Sequence, residues 1–155
     1  MKHFRSISFR MAAASDLRSE SYAGRMMTVV PVVALKEGVI WPINAPTAEL
    51  VPAASFQVAP SSWNGRPIFP GHPVQDGSQV SGNTPDILAS SSIGIVFNTS
   101  VDDTSLLMEA WLDDERASNE IERLRAGQTI EVSVGAFVLA EDTKGMYNGK
   151  PYGAV

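Results

Sequence analysis

Prolines are concentrated in one part of this 155-residue chain and limit where regular structure can form. Eight of the ten prolines lie in residues 42–85. Proline fixes φ and has no backbone N–H, so it interrupts helices and inner strands. We therefore predict a mostly irregular segment there, with one short helix over residues 47–55 that Thr47 would cap. Most of the regular structure must come from the sequence on either side.

Short apolar runs outside this segment predict β-strands. Residues 27–40 predict two strands separated by Lys36-Glu37-Gly38, and Pro31 favours an edge position or a bulge. Residues 93–97 and 106–112 predict two more strands. Asn148-Gly149 predicts a hairpin turn near the end of the sequence.

Residues 129–140 have the clearest strand pattern. Apolar side chains occupy alternate positions, which predicts one face against a core and places Ser133 on the other face. Gly135 shares that other face. A glycine there would let a substrate carbonyl approach backbone N–H groups, as an oxyanion hole requires, although glycine in a strand more often marks a bulge.

A helix is predicted between these strands. Asp113 or Asp114 is suited to cap it, an apolar stripe recurs with helical spacing through Ile121, and Gly127 is suited to end it. Together these elements predict a mainly β, α+β domain over residues 26–155. We expect residues 1–25 to be a loosely ordered N-terminal segment.

Composition excludes several classes of function. The net charge of −5 argues against a nucleic-acid partner, because phosphate contacts need a basic face. The longest apolar run, residues 29–35, is far shorter than the roughly 18 residues of a membrane span. With no cysteine and only two histidines, thiolate or multi-histidine metal sites are excluded, and we expect no metal and no cofactor.

The same scarcity leaves few routes to nucleophilic catalysis. A serine needs a neighbouring base, and His72 is the better placed histidine because flanking prolines stiffen its loop. Ser133 and Ser92 both stand two residues before a glycine, and neither has the glycine that a nucleophile elbow needs two residues earlier. From the residues alone, the more common interpretation of His72 is a loop histidine with no catalytic role. The more common interpretation of Ser133 is a strand serine whose hydroxyl is hydrogen-bonded to the backbone.

The order of motifs resembles a known family. The motifs, in order, are Trp63-Asn64-Gly65-Arg66-Pro67, Gly71-His72-Pro73, Ile93-Gly94-Ile95-Val96, Leu107-Met108-Glu109-Ala110, Leu124-Arg125-Ala126-Gly127 and Glu131-Val132-Ser133-Val134-Gly135-Ala136-Phe137. This set, within residues 29–152, resembles the tailed-phage prohead proteases. It is most similar to a branch of that family whose members are often described only as uncharacterised phage proteins.

The resemblance implies a serine protease of the herpesvirus assemblin type, built as a β-barrel with flanking helices. His72 would be the general base and Ser133 the nucleophile. Its substrates would be the scaffold and major capsid proteins, cleaved inside the immature phage head in the bacterial cytoplasm. Self-cleavage and a homodimer are left open.

The third catalytic residue is the least defined part of this prediction. Relatives continue past Tyr152 to an acidic segment, so we expect this chain to be truncated at its C-terminus and domain 26–155 to be incomplete there. Glu109 and Asp142 are the candidates within the chain. The alternatives are a non-catalytic capsid assembly or scaffold protein with the same fold, or a small esterase or amidase outside any phage.

Overall fold

The computed structural model describes residues 2–10, 16–42 and 45–155. Over these residues the protein is mainly β with three short α-helices, so the predicted fold class is confirmed at that level. The strands are β1 (Lys2–Arg10), β2 (Arg18–Tyr22), β3 (Arg25–Lys36), β4 (Gly38–Ile40), β5 (Glu49–Val51), β6 (Pro67–Ile68), β7 (Val74–Gln75), β8 (Ser78–Gln79), β9 (Gly94–Asp102), β10 (Ser105–Asp113), β11 (Glu131–Leu139), β12 (Gly145–Tyr147) and β13 (Lys150–Tyr152). The helices are α1 (Ala54–Gln57), α2 (Pro85–Ser91) and α3 (Ser118–Arg125), with a 3-10 helix at Pro60–Trp63. No helix in the described ranges is long and apolar enough to cross a membrane.

Five antiparallel strands form the main sheet, in the order β2-β3-β10-β9-β6. Side chains of a strand point alternately to its two faces. On β10, Met108, Ala110 and Leu112 belong to the buried core, whereas Glu109 and Trp111 lie on the opposite side. We call these two sides the inner and outer face of the sheet. The described strands do not close into a barrel.

Pro31 lies in β3, which runs between β2 and β10 in the sheet. The pairing of β2 with β3 ends at Arg18 and Val29, so the part of β3 that contains Pro31 extends beyond β2. The only irregularity in the β3–β10 pairing is a register shift between Leu106 and Leu107, away from Pro31. A proline is tolerated here because one side of the strand is not paired with β2.

The predicted helix is confirmed as α3, but its N-cap is Ala117, without a side-chain cap hydrogen bond, and not Asp113 or Asp114. The Asp113 carboxylate accepts hydrogen bonds from the backbone N–H groups of Glu115 (3.0 Å) and Arg116 (3.1 Å), which organises the turn before the helix. Ile121 and the rest of the apolar stripe are buried against the inner face. Gly127 ends the helix with φ +79°, a conformation that favours glycine.

One expectation differs from the structure. Residues 47–55 do not form a helix: β5 pairs with β4, and only the single turn of α1 follows after Pro52. Within residues 1–25 the structure describes β1 and β2, which pair with β11 and β3 respectively. A local pattern does not reveal these pairings, because the hydrogen-bond partners come from strands elsewhere in the chain.

Four two-stranded sheets complete the described part of the fold: β1–β11, β4–β5, β7–β8 and β12–β13. The β1–β11 ribbon lies next to β3. The Asn148-Gly149 turn joins β12 to β13 with both residues at positive φ, +48° and +76°, which confirms the predicted hairpin. The hydroxyl of Tyr147 donates to Glu37 at 2.5 Å and holds this hairpin against the end of β3.

Candidate active site

His72 lies in the loop between β6 and β7, and contacts on both sides fix that loop. After His72, the Val80 N–H donates to the Pro73 carbonyl at 2.9 Å and closes the short β7–β8 hairpin. Before it, the ring of Phe69 packs directly against Gly82, leaving no room for a side chain at that position. These contacts bring the two ends of the segment together and limit the positions that His72 can take.

Ser133 lies on β11, and its orientation follows from the alternation predicted for this strand. Val132 and Val134 are half-buried and pack against the core. Ser133 is exposed on the other face, as predicted. Because side chains alternate along a strand, packing of the valines is what turns the serine hydroxyl outward.

The two residues meet although 61 positions separate them. His72 Nε2 lies 2.8 Å from Ser133 Oγ, a normal hydrogen-bond distance. If the His72 proton is on Nδ1, then Nε2 can accept the proton of the serine hydroxyl. This is the contact that a general base makes with a serine nucleophile.

A cavity of about 1050 Å³ adjoins this pair, and both His72 and Ser133 line it. It lies between β11 and the inner face of the sheet, whose residues Ala110 and Leu112 also line it. The arrangement of a serine–histidine pair at the side of a large cavity is compatible with attack on a bound carbonyl group.

Gly135 lies on the same face of β11 as Ser133 and also lines the cavity. Its partner on β1 is Ser6, and the β1–β11 pairing is continuous from the Lys2–Leu139 pair to the Arg10–Glu131 pair. The glycine therefore does not mark a bulge. A role for the backbone here in binding an oxyanion stays a prediction.

Glu109 is not part of this site. It lies on β10 between Met108 and Ala110, so its side chain is on the outer face, whereas the cavity borders the inner face. Its carboxylate accepts two hydrogen bonds of 2.8 Å from Arg18, one of 2.7 Å from Asn98 and one of 3.0 Å from Trp111. The structure therefore does not bring Glu109 to His72, because the period of the strand directs its side chain to the outer face.

These contacts strongly favour the charged form of Glu109. The hydrogen bonds from Arg18 lower the pKa of the carboxyl to about 2, more than burial raises it. The same bonds raise the pKa of Arg18. Arg18 also lies over the ring of Trp111, with the guanidinium carbon 5.9 Å from the ring centroid. No local pattern in the sequence indicates this cluster, because Arg18 and Glu109 are 91 residues apart.

The other candidates are also apart from the pair. Asp142 is exposed in the loop between β11 and β12 and is not among the residues that line the cavity. Ser92, the alternative nucleophile, donates its hydroxyl to the Leu88 carbonyl at 2.6 Å at the end of α2. That bond is typical of a serine satisfied by a helix carbonyl. Among the described residues, no group of three or more metal-ligating side chains is present.

Comparison with protein-family models, with curated proteins and with solved structures gives no match for this chain. What the chain does is therefore argued from its own residues and from the geometry above.

Proposed function

We propose that this protein is a serine hydrolase and, more narrowly, an endopeptidase in which Ser133 is the nucleophile and His72 the general base. The observation that carries the proposal is the distance of 2.8 Å between His72 Nε2 and Ser133 Oγ at the side of a large cavity.

The proposed reaction uses the pair twice. Ser133 Oγ bonds to the carbonyl carbon of the scissile amide while its proton passes to His72 Nε2. The C–N bond then breaks, His72 gives the proton to the leaving amine, and the acyl group stays on Ser133. Water repeats the steps: His72 takes its proton, the hydroxide oxygen bonds to the acyl carbon, and the ester bond to Ser133 breaks as Oγ regains a proton. Backbone N–H groups near Gly135 would receive the developing oxyanion.

The motif order supports a capsid maturation protease as the specific form of this proposal. The substrates would be scaffold and major capsid proteins in the immature phage head. A herpesvirus-protease-like barrel is part of the proposal, and the β1–β11 ribbon beside β3 is compatible with the start of such an arrangement. The alternative is a non-catalytic assembly or scaffold component with the same fold.

Labelling with a fluorophosphonate tests the nucleophile directly. We expect the wild-type protein to be labelled at Ser133, and Ser133→Ala to lose the label. His72→Ala should slow labelling by roughly 10²–10⁴-fold, the usual contribution of a positioned base. Ser92→Ala is the matched control and should be labelled at the wild-type rate, because its hydroxyl is held by Leu88.

A second experiment tests the peptidase. Co-expression with a capsid precursor should give cleavage products with the wild type and none with Ser133→Ala. Labelling at Ser133 without cleavage would support the assignment as a hydrolase and exclude the capsid precursor as its substrate. A folded wild-type protein that does not react with fluorophosphonate would favour the non-catalytic alternative.

A further inference from the structure

The cavity beside Ser133 is far larger than the space needed by the reacting bond. Its volume of about 1050 Å³ is at the upper end of the range for ligand pockets, roughly 300–1,000 Å³. Nothing in the proposed proton transfers uses this space. The residues that line it therefore indicate which groups of the substrate lie next to the scissile bond.

The walls are mainly apolar and come from separate parts of the chain. Core residues of the inner face form one side. The other sides are apolar residues that are only half-buried, from the 3-10 helix, β6, the loops around the β7–β8 hairpin and β11. They are Trp63, Ile68, Phe69, Val80, Ile130, Val132, Val134 and Ala136. Their remaining exposed area faces a common space, so an apolar group placed there would cover several of them at once.

Four charged side chains also line the cavity, and Glu120 is half-buried whereas the other three are exposed: Arg66, Glu120, Arg123 and Glu131. Arg123 is exposed and donates to Gln128 at 3.0 Å, and Arg66 is exposed and donates to the Ser62 carbonyl at 3.1 Å. Glu131 is also exposed. The inner-face wall consists of apolar side chains, and a charged group brought against it would lose water without gaining a counter-ion there.

Resting on the hydrolase proposed above, we propose that this cavity binds the acyl side of the substrate and selects an uncharged, apolar side chain there, either aliphatic or aromatic. Ser133 and the half-buried valines lie on opposite faces of β11 but all line the same cavity, so an acyl group attached to Ser133 Oγ starts at the edge of that cavity. In a protein substrate, this predicts cleavage after apolar residues and rejection of acidic or basic ones.

A series of nitrophenyl esters with one leaving group tests this preference. Burial of each methylene contributes about 0.8 kcal/mol, or roughly four-fold in kcat/KM. From acetyl to hexanoyl we expect a rise of roughly 10²-fold, and the succinyl ester, which carries a carboxylate, should react more slowly than the acetyl ester. A kcat/KM that is independent of chain length, or highest for succinyl, would overturn the inference.

Two matched substitutions locate the effect. Val134→Lys places an ammonium group on the cavity side of β11, so the preference for hexanoyl over succinyl should fall by about ten-fold or more. Val33→Lys is the control: Val33 is 39% exposed on the outer face, and its change should leave the ratio unaltered. If Val134→Lys does not fold, Trp63→Ala should instead lower kcat/KM for hexanoyl and not for acetyl.

Binding to Ser133→Ala separates this inference from the hydrolase itself. A dansyl-labelled decanoyl amide should bind this variant and raise its fluorescence anisotropy, while the matching succinyl amide should not. If the decanoyl probe binds but fluorophosphonate does not label the wild type, the proposed hydrolase function is wrong and the proposed binding of apolar groups in the cavity is supported. Labelling of the wild type without decanoyl binding would overturn the apolar cavity and retain the hydrolase.

Discussion

Replacement of Glu109 by glutamine distinguishes two roles for this carboxylate. In the structure the Glu109 carboxylate lies on the outer face and accepts two hydrogen bonds of 2.8 Å from Arg18. In Glu109→Gln the carboxamide keeps the size of the side chain, but its NH₂ group meets the Arg18 guanidinium, donor against donor. The variant therefore removes the ion pair with little change in packing.

The expected change in the free energy of unfolding follows from how far the Arg18–Glu109 ion pair is exposed to solvent. An ion pair in full contact with water contributes about 0.2–1 kcal/mol, whereas a hydrogen bond to a charged group contributes about 1.5–3 kcal/mol. The side chain of Glu109 is 21% exposed and that of Arg18 42%, so solvent screens the pair in part. We expect Glu109→Gln to lower the free energy of unfolding by about 1–2 kcal/mol at pH 7.

The pH dependence has a definite sign. The pKa of Glu109 is lowered from 4.5 to about 2 in the folded protein, so its contribution is complete above the unfolded value and is lost as the pH falls through the folded value. The difference in stability between wild type and Glu109→Gln should therefore be constant above about pH 5 and shrink between pH 4.5 and pH 2.

Urea denaturation at several pH values, followed by tryptophan fluorescence, measures this difference. Glu20→Gln is the control, because Glu20 also accepts a hydrogen bond from Arg18, at 3.0 Å, but is 43% exposed. It should cost less than about 0.5 kcal/mol. Activity of Glu109→Gln should stay within about two-fold of wild type. A loss on the scale of roughly 10⁴-fold with unchanged stability would refute this reasoning and restore Glu109 as an orienting acid.

Two further predictions concern the frame around the site. Gly94→Ala should lower the free energy of unfolding by about 2–3 kcal/mol, because the added Cβ would overlap the Trp111 carbonyl oxygen across β9 and β10. Gly38→Ala, whose Cβ meets nothing within 4 Å, is its control in thermal denaturation and should change little. Tyr147→Phe should speed amide hydrogen exchange in β12 and β13, because the bond to Glu37 is lost. That bond raises the pKa of Tyr147, so in the wild type the protection of these amides from exchange should be complete below pH 10 and fall as the pH rises further. Tyr147→Phe should show no such change. Equal exchange rates of the two proteins at pH 7 would contradict this prediction.

Local patterns predicted most of the individual elements correctly. The alternation over residues 129–140 predicted both the strand and the outward face of Ser133, because a strand with one buried face must alternate. The stripe through Ile121 and the glycine at 127 predicted α3 for the same kind of reason. The error fell where pairing with another strand decides the structure: β5 was expected as part of a helix but pairs with β4.

The candidate site divides in the same way. Scarcity of histidine and cysteine limited the chemistry to a few side chains, and the stiff loop singled out His72. The third member could not be ranked correctly from the sequence, because the face of β10 that Glu109 occupies depends on which side of the sheet the core and the cavity lie. The apolar walls of the cavity were missed, since they come from segments that no periodic pattern joins.

The sequence by itself determined the mainly β class, the positions of most strands and helix α3, and the identities of the few residues that can carry nucleophilic chemistry. These properties depend on interactions between near neighbours in the chain. Only the tertiary structure decided that His72 Nε2 lies 2.8 Å from Ser133 Oγ, that Glu109 pairs with Arg18, and that a cavity adjoins the serine. Those contacts join residues 61 and 91 positions apart, and they exist only because burial of the strands' apolar faces brings distant segments together.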